Sequence, residues 1–289
     1  MDRTKDDDEE TRRKSSVGTL YVVGTPIGNL EDLSPRARQV LGRVEVVAAE
    51  DTRRTGRLLS TIGGKARLIS AHEHNERERV RVLLEVLREG RDVALVSDAG
   101  MPLVSDPGWV VVHAALAAGI PVQTVPGPSA VTAALCVSGL PTDRFVFEGF
   151  LPRRASARAA RLQSLAHETR TLVFFESVHR VRETIAALAE HLGEDRAATV
   201  ARELTKVHEQ VFAGSLREIA AALGAEVPEL GEFVIVVGGA EAETSGREAE
   251  ALRVFGVLCK SVPADEAVAL TAELTGMARN AVYRLTRLK

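Results

Sequence analysis

The sequence predicts an α/β protein: two α/β domains in tandem, followed by a small helical domain at the C-terminal end. Three observations lead there. Short β-branched runs alternate with amphipathic stretches, the alternation restarts after a proline-interrupted segment at 126–128, and residues 251–289 carry only helical periodicity. At 289 residues the chain is long enough for two substantial cores.

Residues 1–16, MDRTKDDDEETRRKSS, are charged, lack an apolar segment and read as a disordered tail without a signal peptide. LYVVG (20–24) opens the first domain as a strand, and VEVVAAE (44–50), ARLIS (66–70) and DVALVSD (92–98) repeat its character. Their branched side chains are stiff and pack well on a pleated surface. Between them, LSPRARQVLG and NERERVRVLLEVLREG return apolar residues every three or four positions, the second stopping at Gly90. Such alternation builds a mainly parallel sheet, with binding loops gathered at the carboxyl ends of its strands. IPVQTVPGPS adds a fifth strand that Pro126 and Pro128 bring to an end, because proline lacks the ladder donor and restricts its predecessor.

The first domain is therefore expected over 17–125, a connection over 126–140 and a second domain over 141–240. That second domain reads as RFVFEGF (144–150), a helix near 156–167, TLVFFES (171–177), a helix near 178–191, AATVARE (197–203) and GEFVIVVGG (231–239). The polar stretch EAETSGREAE reads as a linker over 241–250. Beyond it, Ala267, Leu270 and Leu274 share one helical face, TGM makes a turn, and Val282, Leu285 and Leu288 give a last helix its face. Arg279, Arg284, Arg287 and Lys289 decorate that helix. A helix-turn-helix-like pair and a purely structural pair both fit this pattern.

A formal net charge of −3 excludes a uniformly basic protein and leaves room for a local basic face. Cys136 and Cys259 sit in no metal or redox spacing, as expected of a reducing compartment. The apolar stretch from Val110 to Val122 is interrupted by His113 and Gly119 and is too short to span a bilayer. These features place the protein in the cytoplasm, away from the membrane.

The chemistry is expected in the strand-end loops. GTPIGNL (24–30) lacks both the GxGxxG fingerprint and a phosphate-loop lysine. Gly24 and Gly28 allow close backbone approach to a ligand and Asn29 offers a hydrogen bond, or the segment is an ordinary strand-to-helix turn. SDAGMPLVSDPG (97–108) holds two carboxylates and two glycines at a strand end: a ligand loop, or a pair of Asx turns. In AEDTRRT (49–55), Glu50 and Asp51 suit polar ligand groups and Arg53 or Arg54 suits phosphate, unless they form a surface network ahead of a helix. His72 and His74 are two apart but lack a defined third ligand, so no metal site is assigned. Arg153, Arg154, Arg158 and Arg161 form a basic run that fits phosphate contacts or plain solvation. FFESVHR (174–180) and RELTKVHEQ (202–210) follow further strands, and the absence of GxSxG removes a serine-hydrolase reading.

Together these blocks resemble the bacterial 16S ribosomal RNA (cytidine-2'-O)-methyltransferases that modify the P-site cytidine, within the tetrapyrrole-methylase-like superfamily. The resemblance rests on GTPIGNLEDLSPRA (24–37), AEDTRRTGRLL (49–59), SDAGMPLVSDPG (97–108), the 125–141 segment, FVFEGFLPR (145–153), FFESVHR (174–180) and RELTKVHE (202–209), in one order across 18–240. AELTGMARNAVYRL (272–285) is similar to the family's small C-terminal helical domain. Val178 stands where proline is common, and Met101 occupies a variable position.

The resemblance implies two α/β domains of the tetrapyrrole-methylase type, S-adenosylmethionine in the cleft between them, a homodimer, and 16S ribosomal RNA or the small ribosomal subunit as partner. It implies a cofactor pocket lined by Ser97, Asp98, Ala99, Gly100, Ser105, Asp106, Pro128, Ser129, Ala130 and Leu204. The 24–29 loop then faces the substrate and the methyl group. Pro26, Gly28, Asn29, Glu50, Asp51, Arg53, Arg153, Arg154 and Arg158 are the expected substrate contacts. A ribose hydroxyl needs a proton acceptor, for which Asp106 and Lys206 are the candidates; Lys206 serves as a base only with a lowered pKa. Two other readings remain: methylation of a small polar or tetrapyrrole substrate, and a non-catalytic RNA-binding or ribosome-assembly protein.

Overall fold

The computed structural model describes residues 17–72, 75–240 and 244–287. The first domain holds β1 (Leu20–Val23), α1 (Pro35–Arg43), β2 (Val46–Ala49), α2 (Thr52–Ile62), β3 (Arg67–Ser70), α3 (Glu76–Arg88), β4 (Val93–Val96), α4 (Trp109–Ala117) and β5 (Val122–Val125). Its five strands run in the order β3-β2-β4-β1-β5, all parallel. Period-two alternation sorts the side chains onto two faces. Leu20, Val46, Ala48, Val93 and Leu95 pack with Leu83 and Leu87 of α3 and with Val111 and Ala115 of α4. Tyr21, Val23, Val47, Ala49, Ala94 and Val96 pack with Val40 and Leu41 of α1 and with Leu59 of α2. Helices thus cover both faces, which is why VVAA and VALV are buried at every position.

Local chemistry fixes the helix ends. The Ser34 hydroxyl accepts from the Ala37 N–H ahead of Pro35, Asp51 caps α2, and Gly63 closes α2 in the left-handed region at φ 71°.

The second domain contains α5 (Ala130–Val137), β6 (Phe145–Phe150), α6 (Ala155–Leu165), β7 (Thr171–Ser177), α7 (Val181–Leu192), β8 (Ala197–Arg202), β9 (Gln210–Ser215), α8 (Leu216–Ala222) and β10 (Glu232–Val237). Its strand order is β6-β7-β10-β8-β9. Only β6 and β7 pair in parallel; β10 runs antiparallel to β7 and β8, and β9 antiparallel to β8. Three features depart from the sequence reading. This sheet is mixed, β9 and α8 fill a stretch left unassigned, and α5 occupies the expected connection. Val131, Ala134 and Leu135 of α5 are buried against Val173, Ala201, Val234 and Val236, so that connection forms part of the second core.

Residues 166–169 and 239–289 form a separate compact unit. It comprises α9 (Thr244–Leu258), α10 (Ala264–Thr275) and α11 (Arg279–Arg287), so 244–250 are helical where a linker was read. Among the described residues Ala251, Ala267, Val268, Thr271 and Val282 are its buried ones, whereas Leu274, expected on the packed face, is exposed. The 1–16 tail, His74, Leu288 and Lys289 lie outside the described residues. Among the described residues no helix is long and apolar enough to cross a membrane.

Candidate active-site cleft

Three loops leave the carboxyl ends of neighbouring strands in the first sheet and are knitted together by backbone. After β1, the Thr25 N–H donates to the Gly100 carbonyl (2.9 Å) and the Gly100 N–H returns a bond to Thr25 (3.1 Å), tying the first loop to the one after β4. Gly24 and Gly127 meet face to face. A Cβ on Gly24 would stand 2.7 Å from the Gly127 Cα, and one on Gly127 would stand 2.9 Å from the Gly24 Cα. Only hydrogen fits there, so both glycines are needed for close approach rather than for a turn. Gly28 is equally constrained: a Cβ would fall 2.4 Å from the Lys206 Cγ, in the loop after β8. The opening loop therefore bridges the two α/β domains.

Between the domains lies a cavity of about 330 Å³, within the range of small-molecule sites. Ala99, Gly100, Ser105, Asp106, Ser129, Ala130 and Leu204, which the resemblance assigns to a cofactor pocket, line it. Ser97, Asp98 and Pro128 do not. Ser97 and Asp98 line one neighbouring groove and Pro128 another. Ile27, Met101 and Val104 complete the walls from loops that the sequence reading faces toward the ligand, and Glu176 and Ser177 from the FFESVHR block. Phe150, Phe175, Ala201, Glu232, Phe233 and Val234 are lining residues that sequence reasoning left out of the site. Phe175 anchors this apolar side, with Phe147 and Phe150 edge-on to it at centroid separations of 4.9 and 5.8 Å.

The charged groups of the lining are all acidic: Asp106, Glu176 and Glu232. Burial pushes the Asp106 carboxyl up to about 6; a hydrogen bond with Ser97 opposes the shift, while Glu50 and Asp98 add to it. Glu50 is raised as well, by burial first and then by Asp98. Glu176 is buried but fully served: the Thr184 hydroxyl donates at 2.7 Å, the Ser177 N–H at 2.8 Å, and Arg180 lies 3.5 Å away. Across the cleft, Lys206 Nζ donates to Glu203 (2.7 Å) and Glu232 (3.0 Å). Burial lowers the Lys206 pKa but these two carboxylates outweigh it, and the net shift is upward. Lys206 therefore stays a cation at neutral pH, which corrects its reading as a base.

The profile of the tetrapyrrole (corrin/porphyrin) methylases matches residues 19–220, and that of the RsmI C-terminal HTH domain matches residues 245–289. The ribosomal RNA small subunit methyltransferase I of Xylella fastidiosa is 49% identical over 270 residues, covering 93% of this chain and 99% of that one. The enzyme of the same name from Escherichia coli O157:H7 is 44% identical over 271 residues, with 93% and 95% covered. The chain belongs to the ribosomal RNA small subunit methyltransferase I family. Among solved structures, a uroporphyrin-III-C-methyltransferase from Thermus thermophilus aligns with TM-score 0.52 and 26% identity, over 76% of this chain and 94% of that one. The two α/β domains thus carry the tetrapyrrole-methylase architecture, and the methyltransferase I relatives align along both these domains and the helical unit.

Several residues expected to meet substrate have structural work in this family member. Asp51 caps α2, and Arg53 folds back on it with Nη2 at 2.8 Å from the carboxylate. The Arg53 hydrogen bonds hold Asp51 well below the usual carboxylate range. Asn29 caps the turn at 30–32 by accepting from the Glu31 N–H. Glu50 accepts from the Asp98 N–H at 3.4 Å and is not among the residues lining the cavity. Arg158 is the clearest correction: it is 4% exposed and paired with Glu183, because it lies on the packed face of α6 with Leu162 and Leu165. Arg153 and Arg154 remain exposed and without an ion-pair partner among the described residues. Pro26 faces a groove beside α2 rather than the cavity.

Proposed function

We propose that this protein transfers a methyl group from S-adenosylmethionine to the ribose 2'-hydroxyl of a cytidine in the P-site region of 16S ribosomal RNA. The observation that carries this reading is the match along nearly the whole chain to ribosomal RNA small subunit methyltransferases I, and the acid-lined, aromatic-walled cavity between the α/β domains supplies a place for the cofactor. Its chemistry fits the cofactor. Phe150, Phe175 and Phe233 suit a purine, the Ser105 and Ser129 hydroxyls suit its polar edges, and Asp106 and Glu176 offset a sulfonium charge. A purely RNA-binding protein has no use for the cavity.

Bound S-adenosylmethionine supplies a methyl group already activated on sulfur, so the chain's task is alignment and proton removal. Asp106 is assigned the proton, since a carboxyl near 6 is mostly ionised at neutral pH and still basic enough to accept. The protonated Lys206 holds the 203–206 turn against Gly28 and so fixes the cleft's width. Arg153 and Arg154 meet phosphates of the rRNA. The protein works as a homodimer, for which the exposed Trp109 and Leu116 on α4 provide apolar surface.

The test is transfer of labelled methyl to small ribosomal subunits followed by nucleotide-resolved mapping of the product. One ribose 2'-O-methyl on a P-site cytidine is expected. A methylated base, or label found only on small molecules, overturns the proposal.

A further inference from the structure

The opening loop has a second face, turned away from the cavity. Ile27 lines the cleft, but Pro26 and Leu30 line a separate groove of about 220 Å³ against α2. The opposite bank is one helical face, Arg54, Arg57, Leu58 and Thr61, at spacings of three and four residues. Leu30 is 55% exposed, an apolar side chain kept at the lip of a polar surface. Arg54 is steadied by Asp98 at 3.5 Å, while Arg57 has no ion-pair or hydrogen-bond partner among the described residues.

The Thr25–Gly100 bridge joins the walls of groove and cavity, Thr25 lining the groove and Gly100 the cavity. Ser97 and Asp98 line the first space and Ala99 and Gly100 the second, so consecutive residues of one loop serve both. We infer that this groove is a binding subsite for a nucleotide flanking the methylated ribose: Arg57 and Arg54 take its phosphate, and Leu30 with Leu58 packs its base. The inference rests on the rRNA reading above and adds to it where the strand leaves the cavity. An exposed leucine between a proline and two arginines pairs an apolar face with fixed cations, the combination that single-stranded nucleic acid recognises. Charge complementarity favours a polyanion over a protein segment, because apart from Asp98, already paired with Arg54, the charges lining the groove are positive.

The experiment uses the full-length protein with protein-free 16S rRNA for binding and with small ribosomal subunits for kinetics. Arg57→Ala should lower the slope of log affinity against log salt by about 0.7 to 0.9, the loss of one phosphate contact. It should also raise KM for subunits while kcat and cofactor affinity stay at parent values. Leu30→Ala should weaken RNA affinity roughly 5- to 30-fold with the salt slope unchanged, as loss of one packed base requires. Arg57→Lys should restore most of the slope. Both side chains are at the surface, so melting temperatures should match the parent. If Arg57→Glu leaves slope and KM unchanged in a preparation whose parent methylates subunits, the subsite is wrong. The same holds if the variants bind naked rRNA normally and lose only subunit binding, which would mark a protein contact. A parent protein that methylates no rRNA would instead remove the reading on which the subsite rests.

Discussion

Asp106→Asn isolates the proposed proton acceptor, since amide and carboxylate have nearly the same shape and only the carboxylate takes a proton. With the Asp106 carboxyl near 6, about 9% is ionised at pH 5 and about 99% at pH 8. The parent kcat/KM should therefore fall about tenfold between its plateau and pH 5, with an inflection near 6. The assay is single-turnover transfer of labelled methyl to small subunits across that range, at fixed ionic strength. In the Asn variant the plateau should drop and the acidic limb should vanish. Stability supplies an independent check, with a defined sign. The folded-state carboxyl sits above its unfolded value of 3.8, so the folded protein binds more protons between these values and loses stability as pH rises through them. The unscreened shift is worth about 3 kcal/mol, and solvent access to this half-buried group reduces it to about 1 kcal/mol. Asp106→Asn should accordingly melt about 2–4 °C higher than the parent above pH 7. A parent profile flat from pH 5 to 8, or an Asn variant that keeps the acidic limb, would refute Asp106 as the base.

Three further expectations test the frame around it. Gly127→Ala places a Cβ 2.9 Å from the Gly24 Cα, so it should cost about 2 kcal/mol in denaturant unfolding and weaken cofactor affinity by calorimetry; unchanged affinity would show that the glycine contact does not shape the cleft. Lys206→Met removes the partner of Glu203 and Glu232 without removing a base; the pH of the activity inflection should stay put while cofactor KM rises, and a shifted inflection would return Lys206 to the proton path. Sedimentation equilibrium should show a homodimer at micromolar concentration that Trp109→Glu dissociates, and a monomeric parent contradicts the proposed assembly.

The first sheet was legible because parallel strands covered on both faces leave near-continuous apolar runs, and VVAA and VALV are such runs. β9 left a weaker trace. QVFAGS is an edge strand with alternate residues half-buried, and its helical successor is only seven residues long. α5 was hidden by its preface: Pro126, Gly127 and Pro128 read as a boundary, yet AVTAALCV behind them is an apolar helix on the second core. Within the site, the glycine- and serine-rich loops were visible, but the walls from β7 and β10 were not. Phe175 and Val234 are ordinary strand residues by pattern, and only the pairing of those strands brings them to the cleft. Two misassigned charges did carry a signal. Arg158 recurs with Leu162 and Leu165 on one helical stripe, and Asp51 stands where a helix N-cap belongs.

The backbone itself marks where the cleft must not relax. Among the described residues, four non-glycine positions have positive φ: Leu103 (73°), Ser105 (65°), Glu203 (51°) and Thr205 (66°). Each costs roughly 1–2 kcal/mol against an ordinary conformation, and such strain persists only where the surroundings over-determine it. All four lie in the two loops that carry Asp106 and Lys206, one from each sheet. In the second loop the determinants are visible: Lys206 is drawn to Glu203 and Glu232, the Arg202 guanidinium holds the Leu230 and His208 carbonyls, and the Glu232 N–H donates to Glu203. Gly28 then closes against the Lys206 stem without room for a methyl group. The glycine-proline loop after β1 has no phosphate-gripping lysine because its task is different: it locks two strained loops at a fixed separation, which is what an enzyme aligning a methyl group with an incoming oxygen requires.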